Sequence, residues 1–487
     1  MTQPADTPFV APSQRKFVLV AAILASSMGF IDGSVISIAT PAIRADLGAT
    51  LADAQWVSNA YLLLLSSVLL LGGAAGDRFG IRNVFAGGIV LFVVASLACA
   101  AAPTPAILIA ARAVQGLGAA FMVPSSLAII AKAYPREERG GAIGIWSSAS
   151  SFFTIAGPVI GGLVLTTLGD WSWRLVFAVN LPLGIAALAL LFLKVPADKP
   201  DTDRRLDVGG AILGTGALLL MALALTGETT GTTLRLVLGI GGLILAGLFL
   251  WWESRAKAPM VPLGLFRDKA FSGAQALTFV LYFSLAAISF YLPMVLIAGW
   301  NVTPAEVSLV LLPLGILLTV LSPIAGKQAD KVGPGPMISA GSLLVALAFL
   351  GLGLFVGTHS VWFMVLPMMI LFGLGMSLVV SPLSTAVMTS VADRDTGTAS
   401  GINNAVARVA GLFAVATMGG LGAAIFSATL GAGAVGLSFG MAQPGGLPPE
   451  AVAATDAGFA AIAYVTAGLS LLSGVIAWFT LERRIGT

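Results

Sequence analysis

Three charged residues stand inside long apolar stretches of this chain: Asp32, Arg112 and Arg408. A charge at mid-bilayer costs about 2.5–3.5 kcal/mol on insertion scales, so it persists where it faces a bundle interior or a wet cavity. Asp32 is the only carboxylate deep in such a stretch. Taking a carboxylate out of water favours its neutral form, and a nearby guanidinium favours its charged form. A group held on that balance can take up and release a proton. Asp32 and Arg112 fall at similar depths, so pairing between them is geometrically reasonable. This is chemistry suited to proton-coupled carriage of a solute. One charge crossing roughly 150 mV gains about 3.5 kcal/mol. That supports on the order of a 300-fold gradient of a neutral solute. The plainer alternative is a structural ion pair, or a helix end drawn one turn too long.

The neighbourhoods of these residues are also informative. Arg112-Ala-Val-Gln115-Gly116-Leu-Gly118 lies in the fourth apolar run, with Pro124 beyond it. Gly157-Pro158-Val-Ile-Gly161-Gly162 lies in the fifth. Proline removes a backbone hydrogen bond and glycine lets helices approach, so these segments read as contact points or as a packing kink. Gln115, Asn180, Asn403 and Asn404 are polar groups within or near apolar runs; each lines a cavity or joins two helices by a hydrogen bond.

The elements that must hold these residues are membrane helices. Of the 487 residues, 57% are hydrophobic and only 10% charged, too little charge to cover a soluble protein of this length. The 58 glycines suit a closely packed bundle. One cysteine, Cys99, excludes an internal disulfide. The basic residues form no patch with aromatics, so the formal net charge of +3 does not point to nucleic acid. Fourteen apolar runs reach the twenty or so residues that a spanning helix needs. The first follows Arg15-Lys16 and is too long for a signal peptide. With the N-terminus inside, Arg44, Arg174 and Arg235 fall outside, while Arg112 and Arg408 fall within spans. The remaining twenty of the 25 Lys and Arg face the cytoplasm, as the positive-inside rule expects.

The chain also repeats itself. Gly73-Ala-Ala-Gly76-Asp77-Arg78-Phe79-Gly80, between spans 2 and 3, returns 253 residues later as Gly326-Lys-Gln-Ala329-Asp330-Lys331-Val332-Gly333. Gly140 to Ile145, entering span 5, is echoed by Gly397 to Ile402, entering span 13. Spans 1–6 therefore correspond to spans 9–14, and spans 7 and 8 form an insert. An even number of spans separates the copies, so the repeat is parallel, about an axis along the membrane normal. The layout is a cytoplasmic tail at 1–16, a six-helix bundle at 17–194, and a linker with two inserted spans at 195–269. A second six-helix bundle covers 270–481, and a tail covers 482–487. The outer loop near 427–456 is rich in Gly, Ala and Pro, with no Lys or Arg.

These motifs, in this order, resemble the major facilitator superfamily. Gly73 to Arg82 is similar to its cytoplasmic loop motif, with Ile81 where a basic residue is usual and Arg82 supplying the next one. Arg112-x-x-Gln115-Gly116-x-Gly118 resembles its span 4 motif. Gly157-Pro158-x-x-Gly161-Gly162 resembles the span 5 antiporter motif of exporting members. Ile31 to Ile36, Trp171 to Gly184, Arg205-Leu-Asp207, Leu265-Phe266-Arg267 and Gly397 to Arg408 resemble the fourteen-span drug:proton antiporter group. The resemblance implies an all-α polytopic fold of two six-helix bundles plus two inserted helices. It implies a proton-coupled exporter of lipophilic drugs or toxic small molecules that works by alternating access. On this basis Asp32, Arg112 and Gln115 would couple proton to substrate. Gly73, Asp77, Arg78, Gly80, Arg82 and Arg408 would form a gate and conformational switch. Asp77 would meet the start of span 13, near Thr396–Gly401, when the cytoplasmic side closes. The plainer reading of the hairpin is a turn that sets topology, and its second copy, with Lys331 for Arg78, is mainly a structural echo. The expected setting is a bacterial plasma membrane, with both termini cytoplasmic, a monomer, no cofactor, and protons and a lipophilic small molecule as partners. A narrow-specificity metabolite exporter or an uptake symporter on the same fold is the alternative. A membrane enzyme or sensor is disfavoured: the sole histidine, His359, sits in an outer loop, and no metal-ligand cluster, nucleophile motif or P-loop is present.

Overall fold

The computed structural model describes residues 9–481, except 199, 202–204, 227–230, 393–394, 432–435 and 444. Among the described residues it is helical throughout, without a strand. The helices are α1 (Arg15–Leu47), α2 (Leu51–Phe79), α3 (Ile81–Ala100), α4 (Pro105–Ala133), α5 (Arg136–Leu168), α6 (Trp173–Ala178) and α7 (Asn180–Lys194). An exposed pair follows, α8 (Val208–Leu225) and α9 (Thr232–Glu253). Then come α10 (Lys269–Met294), α11 (Pro304–Val332), α12 (Pro334–Phe355), α13 (Leu366–Thr389), α14 (Thr396–Leu430) and α15 (Pro449–Thr480). With α6 and α7 joined as one span, 14 helices among the described residues are long and apolar enough to cross a membrane.

Helices α1–α7 pack mainly on one another, and α10–α15 do the same. The two sets meet where α2 packs on α14, α5 on α11 and α1 on α10. The α8–α9 pair lies outside both sets. It touches the rest through α8, which packs on α2 and α14. Ala222 of α8 joins Leu63 of α2 and Leu412 of α14 in one small apolar cluster. The insert therefore covers a seam between the two sets.

Duplication is visible in local chemistry that the hairpin motif did not reveal. Thr50 caps α2 and forms a capping box with Asp53; Thr303 and Glu306, at the same offset as the hairpins, do this for α11. Each box satisfies two backbone donors that a helix start leaves open. At the far ends of α2 and α11, Gly80 and Gly333 take φ of +89° and +86°, a region that disfavours any side chain. In the first set Gly88 of α3 crosses Gly118 of α4, and in the second Gly341 of α12 crosses Gly375 of α13. A Cβ at Gly118 would lie 2.6 Å from the Phe92 nitrogen, and one at Gly375 would lie 2.7 Å from the Gly341 carbonyl oxygen. Both crossings need bare backbone on both helices.

The bundle has two ends. The α2–α3 and α11–α12 turns lie at one, called here the hairpin end. The α1–α2 turn and the α14–α15 loop lie at the other, the loop end.

Candidate functional site

Asp32 lies about midway along α1, and Arg112 lies near the loop end of α4. Arg112 Nη1 donates to Asp32 Oδ2 at 2.6 Å, and Gln115 Nε2 donates to Asp32 Oδ1 at 3.1 Å. Arg112 Nη1 also lies 2.6 Å from Gln115 Oε1, and Arg112 Nε donates to the Val57 carbonyl at 2.9 Å. Gln115 reaches Ser96 of α3 at 2.8 Å, and Asn180 of α7 donates to that same hydroxyl at 3.2 Å. The Arg112 guanidinium stands 4.3 Å from the Tyr61 ring centre and 5.6 Å from that of Phe177. Asp32 and Arg112 are each 1% exposed, and Gln115 is fully buried.

The sequence sets up this cluster. Arg112 and Gln115 are three apart, hence on one face of α4. Gly116, the next residue, lets the α2 backbone at Tyr61 come against α4. Desolvating two charges costs several kcal/mol each, and only a well-bonded pair offsets that cost. Here six helices, α1 to α4 with α6 and α7, supply the partners. The cluster holds an ion pair sealed from water.

The Gly157–Gly162 segment lies between the two sets. Gly157 and Gly161 face Ile31, Ser34 and Val35 of α1, one turn around Asp32. Gly162 faces Pro304 and Ser308 of α11, and Ser308 donates to the Pro158 carbonyl at 2.7 Å. The proline that would donate no backbone bond thus offers its carbonyl to the other half.

The hairpin is knitted to its own set. Gly73 and Gly76 face Pro124 and Ser125 of α4. After Gly80, Asp198 from the segment following α7 accepts from the backbone of Ile81 at 2.9 Å and of Arg82 at 3.0 Å, capping α3. Arg82 Nε donates to the Leu191 carbonyl at 3.3 Å, near the end of α7, and the guanidinium lies over Phe192. Asp77 Oδ1 lies 3.8 Å from Lys132 Nζ, which is equally far from Asp198. Arg78 lies over the neighbouring Phe79 ring. The start of α14 is close by: Gly401 faces Leu70, two turns before Asp77.

In the second set Asn403 donates to Thr278 at 2.9 Å, and Arg408 Nε donates to Asn404 Oδ1 at 3.0 Å. Asn404 is exposed to a cavity of about 210 Å³ in the hairpin-end half, lined also by Tyr282, Ser384 and Ser400. Arg408 is thus joined through Asn404 to the wall of this cavity. Across the gap it lies within electrostatic reach of Tyr61.

Several hydrogen bonds seal the loop end, and the sequence did not indicate them. Arg44, expected in an outer loop, is buried in the last turn of α1. It donates to the carbonyls of Gly440 at 2.6 Å and Phe439 at 3.0 Å, and to Ser438 at 3.0 Å. Gln55 of α2 donates to Tyr291 of α10 and to the Val415 carbonyl of α14, at 2.8 Å and 2.5 Å. Thr166 of α5 accepts from the Ala305 backbone at 3.0 Å. His359, expected in an outer loop, lies 2.6 Å from Asp456, which also accepts from Trp300. Among the described residues no group of three or more His, Cys, Asp or Glu could hold a metal.

The profile of the Major Facilitator Superfamily matches residues 22–415. The chain is 32% identical over 416 residues to the tetracenomycin C resistance and export protein of Streptomyces glaucescens, covering 82% of this chain and 74% of that protein. It is 30% identical over 386 residues to the riboflavin transporter RibZ of Clostridioides difficile, covering 79% and 83%. Among solved structures, a bacterial homologue of the lysosomal transporter Spinster, in an inward-facing, unoccupied conformation, aligns with a TM-score of 0.68 and 17% identity. That alignment covers 96% of this chain and 97% of the other.

Proposed function

We propose, on the premise that this chain belongs to the Major Facilitator Superfamily, that it is a proton-coupled exporter of lipophilic toxic small molecules in the cell membrane. The observation that carries the reading is the sealed Asp32–Arg112–Gln115 cluster, next to the two contact surfaces of α5. Asp32 is the proton site. Protonating it leaves the Arg112 charge without its counter-ion, and Arg112 must then find another partner. Such a change in α1 is passed to α5, because Gly157 and Gly161 pack against Ile31, Ser34 and Val35. Through Gly162 and Pro158, α5 is tied to α11 of the other set.

We read the hairpin end, which carries most of the basic residues, as cytoplasmic. The loop end is closed by Arg44, Gln55, Tyr291 and Ser308, while Asn404 is exposed toward the hairpin end. This arrangement suits the cytoplasm-open state of an alternating-access cycle. In the opposite state the loop-end bonds part, and Asp77 leaves Lys132 for the start of α14, whose N-terminus carries positive partial charge. Relatives named for drug resistance and export favour outward transport. The relative named as a riboflavin transporter favours the second reading, a carrier of one metabolite.

The experiment is efflux from a pump-deficient host, followed by proteoliposomes with a trapped pH-sensitive dye. Wild type should confer resistance to a panel of lipophilic compounds and move protons when substrate is added. Asp32→Asn, expressed to the same level, should do neither. Substrate movement without proton movement in the wild type would end the coupling reading.

A further inference from the structure

We infer that the substrate site is built for an anion, with the negatively charged end of an aromatic or lipophilic molecule held by Arg408. The inference rests on the transport reading above and names the substrate class for it.

Of the three charges that the sequence places within apolar runs, Asp32 and Arg112 are paired with each other, and Arg408 of α14 stands outside that pair. Asp32 and Arg112 cancel, which leaves one positive charge. The carboxylate that a cationic substrate would seek is closed off: its side chain has no exposure, and both oxygens are taken by Arg112 and Gln115. Arg408 is the opposite case. It is only part buried, and its partner is a neutral amide oxygen, bonded through Nε. Among the described residues its two Nη groups have no hydrogen-bond acceptor and no carboxylate. A guanidinium so placed offers the fork that pairs with a carboxylate or phenolate.

The surroundings complete a site. Asn404, which holds Arg408, opens on the 210 Å³ cavity. Ser384, Ser400 and Tyr282 offer further hydroxyls along its wall, and Val387 and Met388 offer apolar surface. The cavity is large enough for a charged ring, with the rest of the molecule lying toward the other set. On that side is Tyr61, which carries Arg112 on its ring face. A bound anion would therefore feel both arginines, with Tyr61 between them. The excess charge also bears on the cycle. When the cavity closes and loses its water, an unpaired arginine becomes expensive. A bound anion removes that cost, and an empty or cation-loaded cavity does not.

The test uses fluorescein and a cationic rhodamine, which share a ring system and differ in charge. Binding is measured by fluorescence polarisation on the full chain in nanodiscs, for wild type, Arg408→Lys and Arg408→Gln. Wild type should bind fluorescein more tightly than the rhodamine. Arg408→Gln should weaken fluorescein about 10- to 100-fold, the range for a hydrogen bond to a charged group, and leave the rhodamine unchanged or tighter. Arg408→Lys should fall between. Tighter rhodamine binding by wild type, or an equal loss of both dyes in Arg408→Gln at unchanged melting temperature, would overturn the inference. Efflux of both dyes from energised cells separates the two readings. Selective fluorescein binding without export of either dye removes the export reading and leaves the anion site standing. Export of the rhodamine alone does the reverse.

Discussion

Arg112 stacks on Tyr61, with the guanidinium 4.3 Å from the ring centre. A cation over an aromatic face gains about 0.5–2 kcal/mol, more when water is excluded. Tyr61 is nearly fully buried, at 5% exposure. Tyr61→Phe keeps the ring and should keep most transport. Tyr61→Ala should cut it at least about tenfold, roughly the weight of such a contact. Parallel efflux assays on the two variants, matched for expression, check this.

Removing one partner of the buried pair should cost more stability than removing both. Arg112→Ala strands Asp32 and should destabilise the protein by about 3–5 kcal/mol. Asp32→Asn with Arg112→Gln replaces the pair by neutral amides and should recover much of that loss. Neither variant should couple transport to protons. Thermal unfolding in detergent, beside the proteoliposome assay, separates the two effects.

Bonds at the loop end should set the resting state. Arg44→Ala leaves the carbonyls of Phe439 and Gly440 without this donor, and Gln55→Ala leaves Val415 with Tyr291 alone. Each buried hydrogen bond contributes about 0.5–1.5 kcal/mol, or up to about 3 kcal/mol when charged. Both variants should therefore shift the population toward a loop-end-open form. Cys99 is buried, so cysteines placed at loop-end positions can report opening by their labelling rate. An unchanged rate in both variants would show that other contacts hold that end shut.

The two glycine crossings should be equally intolerant. Gly118→Ala and Gly375→Ala each press a methyl onto facing backbone and should cost about 1–3 kcal/mol. Gly87→Ala, with nothing within 4 Å, is the control and should be neutral or slightly stabilising. Melting temperatures of the three decide it.

Asp198→Ala should weaken the start of α3 by about 0.5–2 kcal/mol, the usual weight of a helix cap. It also takes one of two equidistant carboxylates away from Lys132 and leaves Asp77. The melting temperature should fall modestly while the protein stays inserted.

The spans, the repeat and the Asp32–Arg112 pair could be read from the sequence because each depends on a strong local contrast. A charge in twenty apolar residues is conspicuous, and so is a charged hairpin written twice. Arg44 was misplaced because hydropathy cannot tell the last polar turn of a helix from the loop beyond it. Gln55, Tyr291 and Ser308 gave no signal, since a neutral polar group on an apolar helix acquires meaning only from what faces it. Asp198 lies over a hundred residues from the helix it caps, so only the fold joins them. The Thr50–Asp53 and Thr303–Glu306 boxes were legible and could have been found by following the hairpin offset outward.

The position of α8 has a consequence for how molecules dissolved in lipid reach the interior. A two-half carrier has a lateral slit on each flank, and here α8 shutters the one between α2 and α14. Among the described residues α8 does not pack over the opposite seam, where α5 meets α11 and where Pro158, Gly162 and Ser308 lie. The two flanks of the bundle are thereby unequal: one seam is roofed by an extra helix pair, and the other is formed by α5, the helix that packs against Asp32's own.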